Sequence, residues 1–316
     1  MKMISTHGLA RTFKGKGGEV AAVRGVNLDV DAGEIVGFLG PNGAGKTTTL
    51  RMLTTLLEPT SGEATVAGHD LRTDPEGVRR DIGYVAQGSS TERSATVREE
   101  LLDQAALYRM PPADGVRRAN ELVDAFELGG FEDKLIKELS GGQRRRLEVA
   151  LGMVHSPKLV FLDEPTTGLD PQSRANLWQH VRDLREHHGA TVFITTHYLE
   201  EADALCDRVL ILDEGRIIAS GTTDELKQQN GGDVITLVID GEPAAARATV
   251  AQLFPDAPLT IDRATLRLTV VDGDEQLPLV LRALDAGGCR VRSAQLDRPS
   301  LDDVFLALTG RSLRDA

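Results

Sequence analysis

Residues 40–47 have the residue types and spacing of a loop that binds phosphate, since they match the pattern G-x-x-x-x-G-K-[ST] in full. Glycines let the backbone turn so that successive N–H groups point at phosphate oxygens. Lys46 supplies a mobile cation for the terminal phosphates of a nucleotide, and Thr47 supplies a hydroxyl for Mg²⁺. The alternative is a glycine-rich turn that matches by chance. The predicted phosphate-binding residues are Gly40, Pro41, Asn42, Gly43, Ala44, Gly45, Lys46, Thr47 and Thr48.

Two adjacent carboxylates follow the apolar run at residues 159–162. Ligands of parallel sheets bind at the carboxyl ends of the strands, so we expect Asp163 to hold the Mg²⁺ ion. Neighbouring buried acids repel each other and have little structural use. Glu164 is therefore predicted to polarise the attacking water as a general base. The alternative is that both acids only open the turn at Pro165.

The elements around these residues alternate between strand and helix, which predicts an α/β fold with a mostly parallel sheet. Residues 35–39 form a short apolar run typical of a strand buried on both faces, preceded by another strand and a turn at residues 31–34. Further helices are predicted at residues 48–57, 97–110, 114–128 and 173–188, and further strands at residues 62–68, 82–86, 191–195 and 208–212.

The pattern of predicted strands and helices changes after a predicted linker at residues 228–232. Beyond it, strands at residues 234–240, 265–271 and 290–296 alternate with helices at residues 244–254, 276–286 and 301–308, the last opened by a capping box of Ser300 and Asp303. We therefore predict two domains, residues 1–229 and residues 230–316. The second is a small α+β domain, and the hypothesis is that it contributes to a dimer contact or has a regulatory role.

The net charge of −12 and the pI near 5.1 argue against nucleic acid or anionic lipid as a non-specific partner, because both require a basic surface. The longest apolar runs are far below the roughly 18 residues of a membrane span. Residues 1–13 lack the apolar region of a signal peptide. Cys206 and Cys289 lie far apart in sequence, and a reduced cytosolic compartment is the simplest interpretation.

Residues 139–143, Leu-Ser-Gly-Gly-Gln, resemble the signature motif of ABC ATPases residue for residue. Taken alone, a serine and two glycines before a helix form either an anion-binding helix start or an ordinary N-cap. Together with the phosphate loop and the acidic strand end, they identify residues 1–225 as similar to this family. This resemblance implies antiparallel N-terminal strands beside the mostly parallel sheet and a helical subdomain at about residues 90–150. The resemblance implies a head-to-tail dimer. ATP would lie between the phosphate loop of one copy and Ser140, Gly141, Gly142 and Gln143 of the other.

Four more positions resemble motifs of the family. Gln87 resembles the Q-loop glutamine, which senses Mg²⁺ and the membrane partner, and Asp170 resembles the D-loop aspartate, which crosses the dimer interface. His197 resembles the switch histidine that touches the γ-phosphate, and Phe13 resembles the aromatic residue that stacks on adenine. Packing in the core is the alternative for Phe13 and His197. The three arginines at residues 144–146 are interpreted as a solvated helix face.

Residues 299–310 resemble the C-terminal motif of the daunorubicin-resistance group of antibiotic exporters, and residues 164–171 and 198–203 are similar to that group as well. The resemblance implies an ATPase subunit at the cytoplasmic face of the cell membrane, peripherally bound to a separate permease. ATP and Mg²⁺ would be its cofactors. Because every motif is complete, a homodimer is expected, with a similar ATPase as the other possible partner.

Three other functions compete with drug export. One is an ABC ATPase that exports lipid or polysaccharide. Another is a non-transport ABC ATPase, a class that usually shows coiled-coil insertions, zinc cysteines or two cassettes in one chain. The third is a P-loop kinase for small molecules, which would leave the signature motif and Glu164 unexplained.

Overall fold

The computed structural model describes residues 1–15, 18–88, 91, 94–229, 232–240 and 243–309, which belong to two compact units, Met1–Ser220 and Gly221–Ala316. The division thus falls before residue 229, the end of the first domain proposed from the sequence. Parts of some predicted motifs, namely Lys16, Gly17, Asn230, Gly231 and Gly310, lie outside the described residues.

The first unit combines two sheets with seven α-helices among its described residues. The strands are β1 (Lys2–Gly15), β2 (Gly18–Asp31), β3 (Ile35–Leu39), β4 (Ser61–Val66), β5 (His69–Asp70), β6 (Ile82–Val85), β7 (Leu159–Asp163), β8 (Thr191–Thr196), β9 (Arg208–Asp213) and β10 (Arg216–Gly221). The helices are α1 (Lys46–Leu53), α2 (Pro75–Asp81), α3 (Val97–Leu107), α4 (Pro112–Ala125), α5 (Gly141–Gly152), α6 (Pro171–His188) and α7 (Leu199–Leu205).

The larger sheet of this unit has the strand order β10-β9-β3-β8-β7-β6, and the five strands from β9 to β6 pair in parallel. A second sheet, β2-β1-β4-β5, is antiparallel. The predicted fold class, a mostly parallel α/β unit with antiparallel N-terminal strands, is therefore confirmed. In the parallel sheet β3, β7 and β8 lie side by side, so their carboxyl ends meet at one edge.

The central strands are apolar throughout because side chains on both of their faces are buried. Along β8, Val192 and Ile194 belong to one hydrophobic cluster, which includes residues of helices α3 to α6. Phe193 points to the other cluster, which includes residues of α1, β1 and β2. There its ring lies 5.4 Å from that of Phe38 and 5.6 Å from that of Phe161, measured between centroids. Three neighbouring strands are thereby fixed to one another next to the residues that follow them.

Several elements differ from the prediction. Strand β1 was not predicted, because register shifts and the left-handed Gly8 interrupt its alternation of polar and apolar residues. The helix predicted at residues 48–57 begins at Lys46 and ends at Leu53, and Thr55 beyond it has a positive φ of 62°. The helix predicted at residues 97–110 ends at Leu107, two residues before the left-handed Arg109. The short helices α2 and α7 were missed.

The second unit combines an antiparallel sheet with helices, and this agrees with the predicted small α+β domain. Its strand order is β12-β13-β11-β14. Its elements are α8 (Thr223–Gln229), β11 (Asp233–Asp240), α9 (Pro243–Leu253), β12 (Leu259–Asp262), β13 (Thr265–Val270), α10 (Gly273–Ala286), β14 (Arg290–Asp297) and α11 (Leu301–Thr309). Ser300 and Asp303 form the predicted capping box of α11. Over the described ranges of both units, no helix combines the length and hydrophobicity that a membrane crossing requires.

Replacement of Phe193 by alanine tests the packing that fixes the sheet. The side chain is 0% exposed, and removing a buried phenylalanine costs about 3–5 kcal/mol. We expect a loss of that size in the free energy of unfolding, measured by urea denaturation. Trp178, the only tryptophan of the chain, lies in the first unit, so its fluorescence follows that unit. Phe13→Ala is the control, since its side chain is 39% exposed and should cost less than about 1 kcal/mol.

Candidate functional site

The phosphate-loop pattern lies where the sequence places it, between the end of β3 and the start of α1. Its tip, Asn42 and Gly43, is exposed, its flanks are buried, and Thr47 and Thr48 at the start of α1 are half-buried. Gly45 has a φ of 108°, in the left-handed region that favours glycine. A Cβ atom at Gly40 would collide with the carbonyl oxygen of Leu212 on β9. Glycine is therefore required at both ends of the loop, by the neighbouring strand at Gly40 and by the backbone conformation at Gly45.

Lys46 is folded back over its own loop. Its Nζ donates hydrogen bonds to the carbonyl oxygens of Gly40, at 2.7 Å, and Pro41, at 3.1 Å. The same atom lies 3.4 Å from Oε1 of Glu164, and the lysine side chain is only 4% exposed. Burial lowers the pKa of Lys46, while the charge and hydrogen bonding of Glu164 act in the opposite direction. The two residues form a buried ion pair between α1 and the end of β7.

Asp163 joins the ends of three elements. It is the last residue of β7 and pairs in register with Thr195 of β8. Its Oδ1 accepts hydrogen bonds from the hydroxyl of Thr195, at 2.6 Å, and from the hydroxyl of Thr47 at the start of α1, at 3.2 Å. Two of the three predicted metal ligands, Thr47 and Asp163, are thus in direct contact.

The third predicted metal ligand, Gln87, follows β6 and donates its Nε2 to Oε2 of Glu164 at 2.9 Å. Hydroxyl, carboxylate and amide oxygens suit Mg²⁺, which binds proteins through few ligands and keeps waters or phosphate oxygens as the others. Within the described ranges, no group of three or more His, Cys, Asp or Glu residues could hold a metal ion by itself. The donor set therefore fits a Mg²⁺ ion that is shared with a phosphate ligand.

Glu164 has an unusual backbone conformation for a residue other than glycine, with a φ of 43°. Its N–H donates to both the carbonyl oxygen and the hydroxyl of Thr195, each at 3.0 Å. Its Oε2 accepts from Thr167 Oγ1 at 3.2 Å and lies 3.2 Å from Nδ1 of His197. The carboxylate, whose side chain is 6% exposed, is consequently aimed at the space between α1 and the end of β8.

The surroundings of Glu164 keep it ionised. Burial by itself would raise its pKa, but the nearby imidazole of His197, with Nδ1 3.2 Å from the carboxylate, and the positive charge of Lys46 outweigh that effect and lower the pKa to about 2. His197 is 27% exposed at the carboxyl end of β8, and Nδ1 contacts Glu164 without a well-aligned hydrogen bond. A carboxylate this acidic accepts hydrogen bonds strongly but takes up a proton weakly.

The predicted signature residues begin α5. Ser140 caps the helix by accepting a hydrogen bond from the N–H of Gln143, and the Gln143 side chain accepts one from the N–H of Ser140. A Cβ atom at Gly142 would lie 2.5 Å from the hydroxyl of Ser173, which itself donates to Asp170 at 2.6 Å. Hydrogen bonding from Ser173 lowers the pKa of Asp170. The signature helix and the D-loop-like aspartate are therefore neighbours.

Ser140, Gly141 and Asp170 are exposed, and no hydrogen bond or ion pair among the described residues joins residues 140–143 to the phosphate loop. Phe13 is 39% exposed on β1 with the Arg11 guanidinium 4.8 Å above its ring, so a core position is excluded. The structure does not bring Phe13 into contact with the other predicted site residues.

The interpretation of residues 144–146 as a solvated face is wrong for Arg145, which is 7% exposed. Its guanidinium donates to the carbonyl oxygens of Ala86, Asp163 and Pro165 and to the carboxylate of Glu148. An arginine with a glutamate three positions later is a common pair on a helix surface, so the sequence carries no sign of this burial. Thr195 and Thr167, which hold Asp163 and Glu164, were also missed.

Comparisons with known proteins agree with these features. Residues 23–167 match the family model described as ABC transporter, and residues 221–309 match the model described as ATP-binding protein DrrA1-3-like, C-terminal domain. The chain is 44% identical over 99% of its length to the daunorubicin/doxorubicin resistance ATP-binding protein DrrA of Streptomyces peucetius, covering 94% of that protein. It is 37% identical over 96% of its length to the Nod factor export ATP-binding protein I of Burkholderia orbicola, covering 97% of it.

Among solved structures, a dimeric ATP-binding cassette in a post-hydrolysis state, bound to ADP and Pi, is similar with a TM-score of 0.64 and 28% identity. The similarity covers 70% of this chain and 98% of that one.

The pKa of Glu164 makes a prediction for the nucleotide-free protein. Because the folded state lowers this pKa from its ordinary value of 4.5 to about 2, ionisation of Glu164 stabilises the fold above pH 4.5, and the stabilisation is lost as the pH falls towards 2. Compared with Glu164→Gln, the unsubstituted chain should be more stable by on the order of 3 kcal/mol at pH 7. Denaturation from pH 7 to pH 3 should show this difference shrinking below about pH 4.5.

The exposed Glu200 provides the control for this measurement. Glu200→Gln should change the free energy of unfolding by less than about 0.5 kcal/mol over the same pH range. A difference between Glu164→Gln and the unsubstituted chain that stays constant with pH would contradict the ion-paired state of Glu164.

Proposed function

The chain belongs to the family of ABC-transporter ATP-binding proteins, whose members bind and hydrolyse ATP, and from this we propose that it powers a separate membrane permease that exports antibiotic-like compounds. The observation that carries the proposal is the position of Glu164, whose carboxylate lies within 3.4 Å of Lys46, Gln87 and His197 where the phosphate loop meets the strand ends. Charged and polar groups of this kind would suit a terminal phosphate and the water that attacks it.

We propose that ATP binds with its phosphates along residues 40–48, where backbone N–H groups and the N-terminus of α1 face them. Lys46 would then exchange its contacts with Gly40, Pro41 and Glu164 for phosphate oxygens, because these acceptors carry more charge. Thr47 and Asp163, with Gln87 beside them, would hold the Mg²⁺ ion. When bound, the ion neutralises charge on the β- and γ-phosphates.

Departure of Lys46 removes a positive neighbour that lowers the pKa of Glu164. The carboxylate would then be a better proton acceptor with ATP bound than without it, which suits the general base of the proposal. Glu164 and His197 would orient a water molecule that attacks the γ-phosphorus while the bond to the β,γ-bridging oxygen breaks. The products are ADP and inorganic phosphate, and the proton of the water leaves through Glu164.

A second copy completes the site in this proposal. Ser140, Gly141, Gly142 and Gln143 form a capped helix start. Its first two residues, Ser140 and Gly141, are exposed in the single chain, so a phosphate bound to another copy can reach them. Asp170 lies next to this helix start through Ser173 and would cross the same interface. Because all the motifs are complete in one chain, we propose a homodimer with two competent sites. A partner ATPase with degenerate motifs would contradict it.

The cargo proposal rests on the relatives. One is named for resistance to daunorubicin and doxorubicin, and another is named for export of Nod factor. The two names give different compounds, which agrees with selection of the cargo by the permease. We propose a peripheral position at the cytoplasmic face of the membrane, where this chain would meet the permease.

The purified unsubstituted chain should hydrolyse ATP with water as the only acceptor. Phosphate transfer to an added small molecule would instead favour a kinase.

Lys46→Ala tests phosphate binding. Loss of the buried cation should weaken ATP binding about 10-fold or more and lower kcat at least about 100-fold. Lys158→Ala is the control, because Lys158 is 67% exposed and pairs with Asp81 instead. Equal turnover of the two variants would contradict the assignment of Lys46.

Glu164→Gln separates binding from chemistry. The amide keeps the shape of the side chain but cannot take a proton, so ATP affinity should stay within about 3-fold while kcat falls about 100-fold or more. Light scattering should show this variant as a stable dimer with ATP and as a monomer with ADP. Glu200→Gln should behave like the unsubstituted chain, and normal turnover by Glu164→Gln would show that another residue is the base.

A further inference from the structure

Arg145 links its own helix, α5, to two segments that the proposed mechanism needs in register, namely residue 86 and residues 163–165. Its Nε donates to the carbonyl oxygen of Pro165 at 2.7 Å, its Nη1 to that of Ala86 at 2.7 Å, and its Nη2 to that of Asp163 at 3.2 Å. Glu148, one helical turn further along α5, supplies the counter-charge at 2.8 Å. The planar fork of a guanidinium can reach several acceptors at once, which a lysine ammonium on a flexible stem cannot do in the same geometry.

Two of these carbonyl groups flank Glu164 on either side in sequence. Glu164 has the left-handed φ of 43°, a conformation that a residue with a side chain keeps only when its surroundings fix it. Thr195 binds the N–H of Glu164, and Arg145 binds the carbonyl groups before and after it. Together they hold the peptide units around Glu164, and this determines where its carboxylate points.

The third carbonyl group belongs to Ala86, the residue before Gln87. The amide of Gln87 donates to the Glu164 carboxylate at 2.9 Å. Arg145 therefore positions both partners of this hydrogen bond through their backbones. It does so from the helix that begins with residues 141–142, so one side chain joins the signature helix to the backbone around Glu164.

We propose that Arg145 is a positioning residue for ATP hydrolysis, which keeps Glu164 in its left-handed conformation and makes that conformation depend on the position of the signature helix. The inference rests on the proposed function. It concerns turnover rather than nucleotide affinity, because Arg145 contacts the backbone around Glu164 and makes no described contact with the phosphate loop.

The test compares Arg145→Lys with Arg146→Lys in the purified full chain. Arg145→Lys keeps the positive charge but loses the planar guanidinium group that reaches several acceptors. We expect kcat to fall about 10- to 100-fold while the Kd for ATP stays within about 3-fold. Arg146 lies on the same helix and pairs with Glu127, which is 66% exposed, so Arg146→Lys should keep normal turnover. In a Glu164→Gln background, Arg145→Lys should lower the residual rate less than about 2-fold, because both changes remove the same contribution.

A purely structural role for Arg145 would give a different result. Thermal stability and ATP affinity would then fall together with kcat, and the effects of Arg145→Lys and Glu164→Gln on the rate would multiply. Either result, or normal turnover by Arg145→Lys, would overturn the inference. If unsubstituted protein does not hydrolyse ATP, the proposed function fails and the inference fails with it.

Glu148→Gln gives an independent measurement if Arg145→Lys does not fold. The glutamine keeps a neutral acceptor for Arg145 but removes its counter-charge, and we expect kcat to fall about 3- to 10-fold at unchanged ATP affinity. Unchanged kcat in Glu148→Gln would overturn the inference in that case.

Discussion

The ion pair between Lys46 and Glu164 is the interaction on which the remaining structure depends. A buried carboxylate is costly unless it is paired, and a buried lysine is equally costly. Here each satisfies the other at 3.4 Å, with His197 on the opposite side of the carboxylate. Because the partners come from α1, β7 and the segment after β8, the sheet has to bring the ends of β3, β7 and β8 to one edge. In the proposed function Lys46 leaves Glu164 for a phosphate, which would remove a positive charge from beside the carboxylate and link nucleotide binding to chemistry.

The sequence predicts those parts of the site that are formed by consecutive residues. The phosphate loop, the acidic end of β7 and the capped start of α5 are local, and each lies where its pattern places it. Contacts between distant segments have no such signal. Arg145 has the same residue type and helical setting as Arg144 and Arg146, yet only the fold decides which of the three is buried. Likewise, the hydrogen bonds around the left-handed Glu164 come from Thr195 and Arg145, which are far from it in sequence.

The overall fold was predictable for a related reason. Strands β3, β7 and β8 are short apolar runs because both faces of the parallel sheet are covered, and that pattern is visible in one sequence. Strand β1 escaped prediction because bulges break its periodicity. The division between the units falls at residues 220 and 221, whereas the glycines at residues 231–232 suggested a later boundary. A helix, α8, occupies the intervening segment and packs against α11 of the second unit.

We propose that one terminal phosphate is held from two sides, by the phosphate loop of one copy and the signature residues of another. A structure of the Glu164→Gln variant with ATP and Mg²⁺, determined by crystallography or electron cryomicroscopy, would show whether this is so. We expect a head-to-tail dimer in which the γ-phosphate contacts Lys46 of one copy and Ser140 and Gly141 of its partner. A nucleotide on the phosphate loop whose γ-phosphate faces solvent would contradict this arrangement. A γ-phosphate that faces residues of the second copy other than 140–143 would contradict it as well.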